Sequence, residues 1–331
     1  MRIIYLLLSL YMLMTSNKVI CGSILAPRCA IENKKLPQKQ PRVAIVFYGL
    51  SRSLASTLSS IEKHVFKVLD KNNIIYDVFW STLNASEITN ERSHENHLPL
   101  NASDYLLMRP CVFKETLQSD IAAHELMKYH HARISIPFNQ TDMYRDNFTS
   151  VQNMLCAFHS LGQANNMIQK FMHAKTVLFD AIIVLRPDTA VVTDIDIPKY
   201  IHEIINETKT NKSSIWIPDF SNWGGYNDRA AYGSVSVMTK YLMRGEMFRD
   251  YIGPGRIRAN TEQFLKAYIA LYNITYRASS MRVIRIRADH SVSYTDTTQT
   301  LLNMTTMEYQ RFVKHCLIKL PTKYLINSSN C

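Results

Sequence analysis

The chain has 331 residues, 47% of them hydrophobic, and a formal net charge of +11. That apolar content supplies a large core and argues for one elaborated domain rather than two independent ones. The charge favours anionic ligands, yet the lysines and arginines are scattered and no zinc-finger or RNA-binding signature occurs, which argues against nucleic acid as a partner.

Arg2 precedes an apolar run over residues 3–14, interrupted only by Ser9. The run is shorter than the roughly 20 residues a bilayer span needs, so residues 1–22 read as a signal peptide. The alternative is a signal anchor, with membrane attachment through residues 3–20. Either places the chain in a secretory lumen, ER or Golgi, or outside the cell. Nine glycosylation sequons agree with this: Asn84, Asn101, Asn139, Asn147, Asn206, Asn211, Asn273, Asn303 and Asn327. Asn147 and Asn273 abut segments expected to pack, so those two should be unavailable. Cysteines lie at 21, 29, 111, 156, 316 and 331 with no CxxC pair. One or two disulfides among the last five are expected, with the pairing open.

A lysine- and proline-bearing linker, residues 23–41, leads to a buried strand over 43–48 that ends at Gly49. Leu54, Leu58, Ile61, Val65 and Leu69 recur at helical steps, which predicts an amphipathic helix over 53–69. A second strand follows at 76–80, and this strand-helix-strand order implies parallel pairing. Residues 81–104 read as loop and 105–113 as a strand. Val151, Leu155, Phe158, Leu161 and Ile168 mark a long helix over 149–173.

The run 181–185 is apolar without alternation, as in a strand covered on both faces. Pro187 cannot donate a ladder hydrogen bond, so pairing stops there and leaves Arg186 and Asp188 at the carboxyl edge. Beyond it come a helix over 198–208, a strand at 215–217, a loop containing residues 223–228 and a helix over 234–248. Asn260 caps a helix that runs through Tyr272, with Gln263 three positions on. Strands at 274–276 and 282–286 precede a loop at 287–290. The fold class is α/β, with a mixed, mainly parallel central sheet and helices on both faces, related to the Rossmann architecture.

Ligands of open α/β sheets bind at the carboxyl edge of the strands. Gly49 and Arg52 leave the first strand just before a helix N-terminus, an arrangement suited to an anion. Arg186 and Asp188 leave the central strand, where a carboxylate can hold a divalent cation and a guanidinium can fork onto phosphate. Together these describe a site for a nucleotide diphosphate. Trp223 and Tyr226, beside Gly224 and Gly225, offer aromatic faces for a sugar.

Residues 43–53, 76–82, 185–188, 224–228 and 261–265, taken in order, resemble the glycosyltransferases of the A-type (GT-A) nucleotide-sugar fold. The resemblance spans residues 43–290 and implies a single catalytic domain over 42–331. It also implies a nucleotide-sugar donor and a glycan or glycoprotein acceptor. Asp188 matches the family's strand-end acidic motif, and Arg186 stands in place of its first aspartate. The family's divalent cation, Mn2+ or Mg2+, falls to Asp188 and His290, with Asp289 the alternative to His290. Glu262 or Asp228 takes the role of catalytic base, and Trp223 and Asn227 contact the donor. A literal acidic motif, Asp194-Ile195-Asp196, reads instead as the loop and cap before the helix at Pro198. Residues 48–58 also resemble the phosphosulfate loop of sulfotransferases. The missing first aspartate leaves a third reading, an inactive secreted glycan-binding glycoprotein.

Overall fold

The computed structural model describes residues 26–30, 40–133, 136, 141, 142, 144–210, 212–252, 260–293 and 296. The leader, most of the linker, and Asn139, Asn211, Asn303, Asn327, Cys21, Cys316 and Cys331 lie outside these. In chain order the elements begin β1 (Arg42–Gly49), α1 (Leu54–Ile61), a π-helical turn at Glu62–Phe66, α2 (Lys67–Lys71) and β2 (Ile75–Asn84). A hairpin of β3 (Glu87–Asn90) and β4 (Glu95–Pro99) precedes β5 (Val112–Leu117), α3 (Gln118–Ala132) and α4 (Thr149–Lys175). Then come β6 (Ala181–Leu185), β7 (Thr189–Val191), α5 (Ile197–Thr210), β8 (Ser214–Pro218) and β9 (Ala230–Ser234). The described chain closes with α6 (Val235–Met243), α7 (Gly245–Tyr251), α8 (Thr261–Leu271), β10 (Thr275–Ser279) and β11 (Val283–Arg285).

Seven strands form the central sheet in the order β10-β8-β9-β6-β1-β2-β5. β1 pairs in parallel with β2 and β6, β2 with β5, and β10 with β8; β9 runs antiparallel to both of its neighbours. The sheet is therefore mixed and mainly parallel, as its continuous apolar strands require: β1 and β6 bury side chains on both faces. Ala44, Val46, Ile182 and Val184 pack under α4, α6, α7 and α8. Val43, Ile45, Ile183 and Leu185 pack on the opposite face with residues of α1 and α5. Burying both faces aligns the carboxyl ends of β1 and β6, Phe47 opposite Leu185, so that the loops leaving them start side by side.

Several segments depart from the sequence expectation. The stretch read as loop over 81–104 opens with four more residues of β2, paired to β1 on one side and β5 on the other, and then forms the β3–β4 hairpin. Its serine and threonine hid a strand because the sheet requires paired backbone there rather than apolar side chains. Tyr105 lies in a 3-10 turn, Ala102–Met108, and the strand begins only at Val112. β9 was not anticipated: Ala-Ala-Tyr-Gly-Ser carries little strand propensity, and tertiary packing decides its state. α3 buries little besides Tyr129 and has a weak apolar stripe. The helix expected over 234–248 is two helices, α6 and α7, that meet at Arg244.

Part of the expected linker is packed. Cys29 forms a disulfide with Cys111, and the Arg28 amide donates to Arg109 O at 2.7 Å while Arg28 O accepts from the Val78 amide at 3.0 Å. The Arg28 guanidinium pairs with Glu62 and lies 3.8 Å from the Phe66 ring centre. Cys156 is a buried free thiol, pushed up to about 12 by burial and then by Glu125. Asn147 and Asn273, set aside above, are both exposed, although Asp146 and Phe148 beside the first and Ile274 after the second are buried.

Candidate functional site

Arg186 and Asp188 leave β6 at its carboxyl end, and the chain exits β1 beside them through Gly49. Gly49 adopts a left-handed φ of 85°, which glycine alone adopts without strain. Its amide donates to Ser160 Oγ at 2.9 Å, and that hydroxyl donates to Ser81 O at 2.5 Å. The turn is thus braced by α4, and its amide is not left for an anion as the sequence suggested.

The charge sits instead on side chains. Arg186 forks onto Asp188 with Nε to Oδ1 at 2.9 Å and Nη2 to Oδ2 at 2.7 Å, and Arg52 Nη2 reaches the same Oδ2 at 2.5 Å. Arg52 Nη1 bonds Glu95 Oε2 at 3.0 Å, and Arg287 Nη1 lies 3.9 Å from that oxygen. A second chain joins Arg229 to Asp296 at 2.9 Å and Arg285 to Asp296 at 2.8 Å. Five guanidinium groups share three carboxylates, leaving two positive charges within these chains. Arg52, Arg186, Arg285 and Arg287 line one cleft together with Tyr48 and Gly49.

Burial alone would raise the Asp188 carboxyl, but Arg186 and then Arg52 hold it well below the usual carboxylate range. Arg287 is pushed down to about 10, first by burial and then by Arg285 and Arg52. Arg229 also falls to about 10, through burial and Arg285, with Asp296 opposing. Cations that disfavour one another in this way gain when an anion enters.

The other wall of the cleft includes Asp228 and Thr261. Asn260 caps α8 as expected, its Oδ1 accepting from the Gln263 amide at 2.6 Å. The loop before β9 lies directly on this first turn: the Tyr226 amide donates to Glu262 O at 3.0 Å. A Cβ at Gly225 would stand 1.9 Å from that oxygen. Gly225→Ala is therefore expected to destabilise the fold by about 1–3 kcal/mol, read by urea unfolding. Glu262 is raised to about 7, first by burial and then by the charge of Asp228. A carboxyl raised in this way can hold or release a proton near neutral pH.

Of the residues singled out from sequence, Gly49, Arg52, Arg186, Asp188 and Asp228 line the cleft, and Glu262 adjoins it through Thr261. Asn227 does not line it. Its Nδ2 donates to Phe220 O and its Oδ1 accepts from the Arg229 amide, so it builds the turn. Trp223 is 47% exposed and is not among the lining residues, and Tyr226 stacks on Tyr276 with centroids 4.3 Å apart. Asp196 is spent on Tyr232, Ser279 and Ser280, and Asp194 on His64, so the literal acidic motif is structural.

The proposed metal pair fits poorly. Both Asp188 oxygens carry guanidinium hydrogen bonds, while His290 Nδ1 is bonded to Ser56 Oγ at 2.7 Å. A divalent cation at Asp188 would have to enter among arginines, and the donor set does not suit it. Sequence reasoning missed Arg285, Arg287, Glu95 and Asp296. The two arginines alternate along one extended segment, a period-2 signal that was available; Glu95 and Asp296 had no local signal.

No protein-family model matches the chain, and no curated protein matches it. Among solved structures, apo xyloside xylosyltransferase 1 from mouse aligns at 10% identity over 72% of this chain and 84% of that one, with a TM-score of 0.35. The galactosyltransferase LgtC, in complex with donor and acceptor sugar analogues, aligns at 11% identity over 71% and 72%, with a TM-score of 0.34. The glycosyltransferase GlyE of Streptococcus pneumoniae aligns at 9% identity over 72% and 45%, with a TM-score of 0.31. Superpositions this loose do not assign an activity.

Proposed function

We propose that the protein is a nucleotide-sugar-dependent glycosyltransferase whose arginines, rather than a metal ion, neutralise the donor's diphosphate. The carrying observation is the chain Arg287–Glu95–Arg52–Asp188–Arg186 at the carboxyl edge of a mainly parallel sheet, all of it but Glu95 lining one cleft. Asp188 holds two guanidinium groups in place, and they present their remaining donors to phosphate oxygens. In the reaction an acceptor hydroxyl oxygen bonds to the anomeric carbon as the bond from that carbon to the diphosphate oxygen breaks. The nucleoside diphosphate leaves with the electron pair, stabilised by the arginines, and the hydroxyl proton passes to Glu262.

The test is hydrolysis of a panel of nucleotide sugars by purified full-length protein, with manganese and with EDTA. Turnover of a donor, unchanged by EDTA, is expected. Loss of turnover in EDTA would overturn the metal-free reading. Binding confined to 3′-phosphorylated adenosine nucleotides would favour sulfotransfer. The site gives that alternative little support, because Ser53 Oγ and Thr57 Oγ1 are spent on Ile286 O and Pro187 O, and Ser51 Oγ on Asn101 O. No nucleotide binding at all would leave a glycan-binding protein.

We further propose that the protein works in a secretory lumen on a glycan or glycoprotein acceptor. The Cys29–Cys111 disulfide and the exposed sequon residues Asn101, Asn147, Asn206 and Asn273 support that compartment. Protein from a secretory host is expected to lose apparent mass on enzymatic removal of N-glycans; unchanged mobility would count against it.

A further inference from the structure

Arg244, at the junction of α6 and α7, is 2% exposed and lines the same cleft. Its Nη1 donates to Tyr241 O at 2.8 Å, and its guanidinium lies 3.9 Å from the Tyr241 ring centre and 5.5 Å from that of Phe158. Its Nε has no hydrogen-bond partner, and among the described residues no carboxylate pairs with it. The contrast with the other cleft arginines is direct: Arg52, Arg186, Arg285 and Arg287 each have a carboxylate partner. A guanidinium cannot shed its charge, so a buried one without a partner is costly and calls for an anion.

The anion has no source in the described protein, and the side chain opens on a ligand cleft. We propose that Arg244 selects a sugar bearing a carboxylate, binding that group through its unpartnered edge. One planar cation with aromatic packing on its face matches one planar anion of single charge, which it can hold in a bidentate pair. Arg244 also stands apart from the diphosphate arginines in origin. They come from the strand ends and their loops, whereas it comes from the helical wall beside Phe158 and Thr261, where the sugar would lie.

That a sugar is the carrier rests on the function proposed above; the need for an anion rests on Arg244 alone. Calorimetric binding to the full chain distinguishes the two. In the donor arm, UDP-glucuronate is compared with UDP-glucose; in the acceptor arm, methyl glucuronoside is compared with methyl glucoside in the presence of UDP. A preference of about 10- to 100-fold for the carboxylate ligand is expected in one arm. Arg244→Gln is expected to erase it while UDP affinity stays unchanged, and Arg244→Lys, which keeps the charge but not the fork, to retain part of it. If the glutamine variant does not fold, the partial loss in the lysine variant is the reading. Equal binding of acid and neutral sugars by the wild type in both arms, or a preference that survives both substitutions, would overturn the proposal. Failure of UDP to bind would instead remove the nucleotide-sugar reading, and a glucuronoside preference lost in Arg244→Gln would still stand for the carboxylate site.

Discussion

Asp188→Asn is expected to cost about 3–5 kcal/mol of folding stability, measured by urea unfolding. Asparagine keeps the shape but removes the charge that Arg186 and Arg52 share, leaving two largely buried guanidinium groups facing each other. Loss of turnover in this variant would therefore not isolate a catalytic role, since the arginines would lose their positions together with the carboxylate. Arg186→Lys is the sharper companion. It keeps the charge beside Asp188 but not the two parallel hydrogen bonds, so nucleotide affinity should fall while the fold persists. An Asp188→Asn protein as stable as wild type would show that the Asp188 charge is not what holds Arg186 and Arg52 together.

Glu262→Gln is expected to lower kcat/KM by about 10²- to 10⁴-fold, the usual contribution of a positioned base. In the wild type the activity should rise as pH increases through about 7, where Glu262 loses its proton. Asp228→Asn removes the neighbouring negative charge, so the acid limb should move to lower pH, while the share due to burial remains. Stability has the opposite slope. The Glu262 carboxyl is raised from an ordinary 4.5 to about 7, so the folded chain holds the extra proton between those values and loses stability as pH rises through them. Glu262→Gln should flatten that slope. A wild-type acid limb below pH 5 would exclude Glu262 as the base.

The parts of this fold legible in the sequence are those whose burial is local in cause. β1 and β6 announce themselves through unbroken apolar runs, α4 through its stripe, and α8 through the Asn260 cap. β9 and the end of β2 do not, since small or polar residues become strands only because neighbours supply backbone partners on both sides. The site divides the same way. Arg186-Pro187-Asp188 was readable because proline ends a strand, while Glu95, 43 residues from its partner Arg52, is reached only through tertiary structure. Asn227 shows the reverse error: a polar residue in a glycine-bearing loop is as readily consumed in shaping the loop as in holding a ligand.

Asp296 lies 0% exposed between Arg229, which precedes β9, and Arg285, which ends β11. It works as a latch: a single carboxylate, eleven residues beyond Arg285, is shared by two arginines, one beside the central sheet and one from the separate β7–β11 pair. Any truncation intended to define the smallest self-sufficient unit must keep this residue. A chain stopping short of it would uncover both guanidinium groups and release the segment that carries Arg287 to the cleft.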